Sequence, residues 1–455
     1  MLVAVAAALA APPNVVLITL DTTRADALSC YGIPPGPYRH DPVTTPHLDA
    51  LAAEGARFAH FFAQAPSTLS SHASLLTGLD PHGHGIVRNG FPLPADLHTL
   101  PERLRDAGYD TIAAVGSAAL EASMGLDRGF RVYDDHLPDD RGRMIQAPAD
   151  DVVARALAAV DARPDPAAPL LLWAHFYDPH SPYTPPPAFA ARTRDPAWAR
   201  AIDTTGADFV AFAQAVRHGR AAPQDIEQVA SLYLAEVAFV DEQVQVLLDA
   251  LRGRGLLDHT LVVVVGDHGE TLADDPVYAW SHGSNTALEV MHVPLIVRGY
   301  GLPIAQRAVI ERQAGASHLA PTIEALVGLE PSLGAAVGFE ELLRAGPVRD
   351  EDGWPERPTL PVFVEATRPR LAEADDGWNN RFMHRGVFAG GYGAFRVPFL
   401  DWPTAPYEWG PLPDADVLDL LQELVADWDA HAPAHSDAPV APRTEAALKA
   451  LGYTE

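Results

Sequence analysis

One cysteine, Cys30, stands in a chain of 455 residues. That excludes an intrachain disulfide framework and a thiolate zinc cluster. Cationic side chains are scarce, with 32 Lys+Arg against 60 Asp+Glu and a formal net charge of −28. Nonspecific nucleic-acid binding, which needs clustered Lys and Arg against phosphates, is thereby excluded as a partner class. An anionic small molecule is not, because local charge at a site can oppose the net charge. No apolar run reaches the roughly 18 residues of a membrane span, so no integral membrane segment is expected. Internal repeats and long low-complexity segments are also missing.

What is present is a composition 48% hydrophobic, enough for a large core, and 19 histidines. With thiolates removed, the search for metal ligands turns to imidazole and carboxylate. The start, Met1 to Pro13, is apolar and ends in small residues, like a signal peptide without its basic region. It reads either as a signal, which favours a periplasmic or secreted location, or as a disordered extension.

Short β-branched runs predict buried parallel strands at Val15–Leu20, Thr111–Val115, Leu170–Trp173, Leu261–Val265 and Val293–Val297. Thr45-Pro46 reads as an N-cap with proline at the first helical position, opening a helix that stops near Gly55. After Pro223, apolar residues from Ile226 to Leu251 keep a spacing of three or four and predict a long helix. Strand–helix alternation predicts an α/β fold, a doubly wound, mostly parallel sheet covered on both faces. Pro182 to Pro223 has no strong period and reads as an excursion over the sheet, a lid or substrate wall. Two units are expected, a catalytic one over 14–330 and a smaller C-terminal α+β domain over 331–455. The latter carries a Val362-Phe363-Val364 strand and a hairpin within Gly386 to Arg396.

Two predicted strands end in ionisable residues. Asp21 follows the first directly, and Asp267-His268 follows the fourth after Gly266. Ligands of open α/β sheets bind at the carboxyl ends of strands, so these groups can converge. Asp21 by itself reads first as a helix N-cap and only second as a ligand. Around Asp267-His268, Gly266 and Gly269 let the backbone approach an ion or substrate closely. A hydroxyl cluster, Thr68, Ser70 and Ser71, precedes an apolar helical stretch. It is either simple capping or a helix N-terminus that favours an anion and an ionised nucleophile.

Five motifs stand in order along the chain. They are Asp21-Thr22-Thr23-Arg24-Ala25-Asp26 with Cys30-Tyr31-Gly32, and Thr45-Pro46-His47-Leu48-Asp49-Ala50-Leu51. Ser74-Leu75-Leu76-Thr77-Gly78, Asp178-Pro179-His180-Ser181-Pro182-Tyr183 and Gly266-Asp267-His268-Gly269-Glu270 complete the set. In this order they resemble the sulfatase family, within the alkaline-phosphatase-like superfamily, from Asn14 to Arg298. Leu448 to Tyr453 resembles the family's C-terminal end. The resemblance implies a divalent metal ion, a nucleophile bound to it, and hydrolysis of a sulfate or phosphate ester.

The departures redirect that expectation. The family's Cys/Ser-x-Pro-Ser-Arg pattern, whose first residue becomes formylglycine, is here Thr68, Leu69, Ser70, Ser71 and His72. Threonine cannot yield the aldehyde, and Ser67 is one residue out of register, so no formylglycine is expected. The frequent Asp-Asp pair is Asp21-Thr22, and the lysine of a Gly-Lys-Trp-His element has no counterpart near Gly116-Ser117. Metal-bound threonine nucleophiles are familiar in the superfamily among phosphodiesterases and phosphoglycerol transferases.

The resemblance therefore implies Thr68 as nucleophile, with Asp21, Thr68, Asp267 and His268 around one divalent ion (Zn, Mn or Ca). His180 and Asn89 are expected at the substrate, His282 against the anion as a catalytic and binding group, and His72 as a catalytic donor in place of the arginine. A second ion on Asp178, His180 and His282 is an alternative. His82, His84, His175 and His292 read as structural. The expected partner is a small or glycan-linked anionic ester, a phosphate mono- or diester before a sulfate; sulfatase activity by a formylglycine-independent route is the close rival, and a non-catalytic anion- or glycan-binding relative is a third reading. The oligomeric state is not legible.

Overall fold

The structure, a computed structural model, describes residues 11–32, 45–86, 88–137, 146–193, 202–205, 207–274, 279–331, 336–346, 361–367, 383–389, 392–396, 404–406 and 415–431. The apolar start 1–10 and the Leu448–Tyr453 motif lie outside them.

The β-branched runs become strands. In chain order come β1 (Asn14–Leu20), α1 (Pro46–Glu54), β2 (Ala56–Phe58), β3 (Phe61–Phe62), α2 (Thr68–Thr77), β4 (Asp110–Val115), β5 (Val132–Asp134) and β6 (Leu170–Phe176). β7 (Thr260–Gly266), β8 (Leu295–Tyr300), β9 (Ala308–Ile310) and β10 (Ala314–Gly315) follow. Eight of these strands form one sheet in the order β5-β4-β6-β1-β7-β8-β2-β9. β1 lies between β6 and β7, parallel to both. Alternate β1 side chains enter opposite cores, as the strand period requires. Val16, Ile18 and Leu20 meet the helix Pro223–Gly253 on one face. Val15 and Leu17 join Leu69, Ala73 and Leu76 of α2 on the other.

The run expected as a parallel strand at Val293–Val297 is β8, which starts at Leu295 and pairs antiparallel with β7. The connection explains the reversal. A parallel neighbour needs a crossover that carries the chain back along the sheet. Among the described residues between β7 and β8 there is only one short helix, Leu288–Met291.

α1 starts at Pro46 as expected, but the Thr45 side chain does not cap it. Its hydroxyl binds Ser29 and Asp49 instead. The helix N-terminus is capped from a distance by Asp241 of the long helix, which accepts from Leu48 N at 2.7 Å and His47 N at 3.3 Å.

The excursion after Pro182 contains the helices Pro187–Thr193 and Ala207–Arg217. Phe189, Ile202 and Val216 are buried in the core, and Phe189 meets Phe239 of the long helix edge-on at 5.4 Å. In its described part this segment is helix packed on helix, not a periodless lid.

Further along, β11 (Val362–Thr367), β12 (Met383–Ala389), β13 (Tyr392–Arg396) and β14 (Thr404–Pro406) form an antiparallel sheet, with β12 and β13 as the expected hairpin. Val387 and Ala394 pack under Leu421 and Val425 of the helix Ala415–Ala430. Its opposite side places Val362, Val364, Phe388 and Phe395 in the main core beside α2, with Phe388 stacked on Phe62 at 4.2 Å. The observed class is α/β, with a doubly wound, mostly parallel sheet and a smaller C-terminal α+β part.

Candidate metal centre and nucleophile

The carboxyl ends of β1 and β7 lie side by side, and the chain continues their pairing one residue further. Asp21 N donates to Phe176 O at 3.0 Å, and Asp267 N donates to Leu20 O at 3.1 Å. Thr22, with φ of 47°, turns its N–H onto Asp267 Oδ1 at 3.1 Å. A β-branched residue in the left-handed region is strained backbone, and here it ties the two strand ends together. The glycines around Asp267-His268 serve backbone packing. A Cβ at Gly266 would stand 2.8 Å from Thr23 O, and one at Gly269 would collide with Glu289 O. They admit neighbouring chain, not an ion or substrate.

Asp21, Asp267 and His268 are fully buried, and their ligand atoms lie within 4.8 Å of one another. Asp21 Oδ1, Asp267 Oδ2 and His268 Nε2 have no hydrogen-bond partner. Three orphaned lone-pair atoms converging in a dry site are costly by themselves and complementary to a divalent cation. Electrostatics agrees. Burial pushes the Asp21 carboxyl up to about 8, despite the partly offsetting nearby His282. Burial and the neighbouring Asp21 raise Asp267 well above its ordinary range. Burial holds the His268 imidazole neutral, the form that ligates. The residues fit a metal ion.

Thr68 opens α2, with Ser67 at the N-cap, and its Oγ1 donates toward Asp21 Oδ2 at 3.4 Å. The two serines grouped with it by sequence are engaged elsewhere. Ser70 donates to Ile86 O, and Ser71 donates to Asp267 O at 2.5 Å. They pin the helix, leaving Thr68 as the member of that trio facing the carboxylates. Asn89 Oδ1 accepts from Leu69 N at 2.7 Å, while its Nδ2 has no partner.

His72 lies below this arrangement. Trp173 Nε1 donates to Thr19 Oγ1 at 3.0 Å, the Thr19 hydroxyl reaches His72 Nε2 at 3.0 Å, and His72 Nδ1 meets Thr68 O at 2.7 Å. Both ring nitrogens are thus engaged by protein, so this imidazole holds the first turn of α2 and has no donor left for an anion. That corrects its expected role as the donor replacing arginine.

His282 stands beside the metal candidates, its ring 4.7 Å from that of His268. Its Nδ1 bonds Glu270 Oε2 at 3.1 Å, and Tyr183 donates to the same oxygen at 3.3 Å. Burial by itself would lower the His282 pKa, but Glu270, Asp21 and Asp267 together more than offset it, so the group stands above its ordinary value. His180 stacks on Tyr177 at 4.4 Å and meets His282 edge-on at 4.8 Å. Asp178, by contrast, accepts from Ala149 N at 2.9 Å. Among the described residues, Asp178, His180 and His282 form no ligand cluster for a second ion.

His84, bonded to Ser74 Oγ at 2.9 Å, shapes the turn after α2. His82 stacks on Trp428 at 3.5 Å and bonds Glu365 at 3.1 Å, joining that turn to the C-terminal sheet. Sequence reasoning gave no role to Glu270 and read His175 as structural. His175 is fully buried near the end of β6, with Nε2 3.4 Å from Asp21 Oδ2. The signal emerges only with the sheet order: His175 sits near the carboxyl end of a strand that pairs with β1, where the topology gathers functional groups.

The sulfatase family model matches residues 13–329. The chain is 26% identical over 321 residues to an arylsulfatase of Clostridium perfringens, covering 58% of this chain and 64% of that protein. It is 24% identical over 360 residues to an N-acetylglucosamine-6-O-sulfatase of Bacteroides thetaiotaomicron, covering 63% and 62%. The matched region thus spans less than two thirds of the length of either relative. Among solved structures, a phosphonate monoester hydrolase of Agrobacterium radiobacter has the same fold. Its TM-score is 0.68 at 21% identity, over 92% of this chain and 95% of that one.

Proposed function

The chain belongs to the sulfatase family, and from that premise we propose that it is a metal-dependent hydrolase of anionic esters. Thr68 is its nucleophile, and phosphoryl groups are preferred over sulfuryl groups. The observation that carries this reading is the Thr68 hydroxyl, 3.4 Å from Asp21 in a buried cluster with three orphaned ligand atoms. Threonine at this position also argues against the formylglycine route.

Asp21, Asp267, His268 and the Thr68 oxygen would hold the ion, which supplies Lewis-acid charge that lowers the hydroxyl pKa and screens the anion. The chain's own groups then divide the work. Thr68 sits at the start of α2, where the helix dipole favours a developing alkoxide. Its proton leaves toward Asp21 Oδ2. The Thr68 oxygen attacks phosphorus, the bond to the leaving oxygen breaks, and His282 protonates that oxygen while Glu270 holds the ring. Asn89 Nδ2 and His180 contact the anion's oxygens. Water next attacks the phosphoryl-threonine and gives its proton to His282, and Thr68 leaves with the proton held by Asp21.

The test is a panel of aryl phosphate mono- and diesters, phosphonates and sulfates, assayed with Mn²⁺ or Zn²⁺. Phosphoryl or phosphonyl esters should turn over best, and Thr68→Ala should lose at least about 10³-fold of that activity. Undiminished turnover by Thr68→Ala would overturn the nucleophile assignment, and faster hydrolysis of sulfates would reverse the substrate preference. A chain that turns over nothing and takes up no ion is the non-catalytic binding relative, and the hydrolase reading fails.

A further inference from the structure

His175 adjoins the candidate metal centre without being one of its proposed ligands. Its Nδ1 accepts the Gly116 N–H at 3.3 Å. Its Nε2 has no hydrogen-bond partner, and the nearest acceptor, Asp21 Oδ2 at 3.4 Å, lies outside hydrogen-bond alignment. Two roles compete for this imidazole. His72, His175 and Asp267 place ligand atoms within 4.8 Å of one another, a spacing that suits an extra ligand. A donor to Asp21 is the other role.

The position of the proton decides between them. A neutral imidazole that ligates through Nε2 carries its proton on Nδ1. The Gly116 N–H points at Nδ1, and two N–H groups cannot face each other there. The proton is therefore on Nε2, which makes that atom a donor. His72, the would-be companion ligand, is already bonded through both nitrogens to Thr68 O and Thr19 Oγ1.

We propose that His175 is a positioning residue for Asp21: its Nε2–H, 3.4 Å from Oδ2 and short of alignment, closes onto that oxygen as Asp21 turns Oδ1 to the ion shared with Asp267 and His268. Two donors then converge on one carboxylate oxygen, since Thr68 Oγ1 also approaches Oδ2 at 3.4 Å. The other oxygen, Oδ1, is left without a partner. The carboxylate's orientation, and not its charge, is what His175 determines. Hydrogen-bond partners of ligating groups act in this way, and their loss costs about 10–100-fold in metal affinity. This inference rests on the metal reading above and refines it.

The experiment uses the full chain, stripped of metal, as wild type, His175→Leu and His175→Gln. Glutamine places an amide N–H near the lost Nε2–H, whereas leucine keeps bulk without a donor. Far-UV circular dichroism and urea midpoints of the metal-free proteins check that each variant folds. Calorimetric titration with Mn²⁺ should show His175→Leu binding about 10–100-fold more weakly, with His175→Gln recovering most of the loss. With Co²⁺ as probe, the visible ligand-field bands of His175→Gln should keep the wild-type shape, because no ligand has been removed. A folded His175→Leu chain that binds Mn²⁺ as tightly as wild type overturns the inference while leaving the metal centre intact. Changed Co²⁺ bands together with no recovery by glutamine make His175 a ligand and also overturn it. A wild-type chain that binds neither ion overturns the metal reading, and this inference with it.

Discussion

Replacing Thr19 by valine removes one oxygen from the centre of the molecule and nothing else of consequence. Thr19 is fully buried on β1, as are Trp173 and His72. Its Oγ1 accepts from Trp173 Nε1 and bonds His72 Nε2, each at 3.0 Å. Valine has the same shape, so packing is retained while two buried polar atoms lose their only partner in this chain of bonds. Each such orphan costs about 1–3 kcal/mol, so Thr19→Val should destabilise by about 2–6 kcal/mol. Thr19→Ser is the control. It keeps the oxygen and loses a methyl, a cost of about 1 kcal/mol for the lost methyl burial, plus a fraction for strand preference. Urea unfolding of the metal-free proteins, read at the midpoint with unchanged slope, gives both values. The reasoning requires valine to be the worse substitution although it is the better steric match. A valine variant as stable as the serine variant would refute the hydrogen-bonded relay that holds the first turn of α2.

Four further outcomes follow from the same structure. Asp241→Ala should cost about 1–2 kcal/mol in urea unfolding, because it uncaps the N-terminus of α1. Burial raises the Asp241 carboxyl to about 6 even though it accepts two backbone N–H bonds. The folded pKa lies above the ordinary value, so the stabilising contribution of protonation is present at low pH and is lost as pH rises through about 6. The stability of wild type relative to Asp241→Asn should therefore fall between pH 4 and pH 7; a rising difference would contradict the burial argument. Glu365→Ala should destabilise by about 1–3 kcal/mol, measured by urea unfolding, because His82 and Arg385 lose a buried carboxylate partner while Arg385 keeps Asp429. Chelation should lower the melting temperature, and Mn²⁺ at about 100 times its Kd should restore about 2.7 kcal/mol of stability in wild type but not in Asp267→Ala.

The sheet was legible wherever burial on both faces forces an unbroken β-branched run, as in β1, β4 and β7. Direction was not. β8 has the same composition as its neighbours, and only its connection, which lacks a crossover helix, makes it antiparallel. Between Pro182 and Pro223, Phe189 is an isolated anchor in its short helix, whereas Phe209, Phe212, Ala213 and Val216 keep a spacing of three or four against the core, a period four residues long that was overlooked. At the site, Asp21 and Asp267-His268 were legible because each terminates a strand. His175 was not, since a histidine inside Leu170–Phe176 reads as a core residue until the sheet order puts β6 beside β1. The network Trp173–Thr19–His72 joins three distant segments, and no local pattern announces it. His72 therefore looked like a group available to substrate.

The central claim, that Thr68 carries the transferred group, is tested most directly by rapid acid quench. Metal-loaded chain is mixed with an aryl phosphodiester, quenched during turnover, digested and mapped by mass spectrometry. The peptide containing Thr68 should gain the mass of one phosphoryl monoester, and Thr68→Ala should show neither the adduct nor the turnover. Turnover with an unmodified Thr68 peptide, retained in full by Thr68→Ala, would contradict that claim.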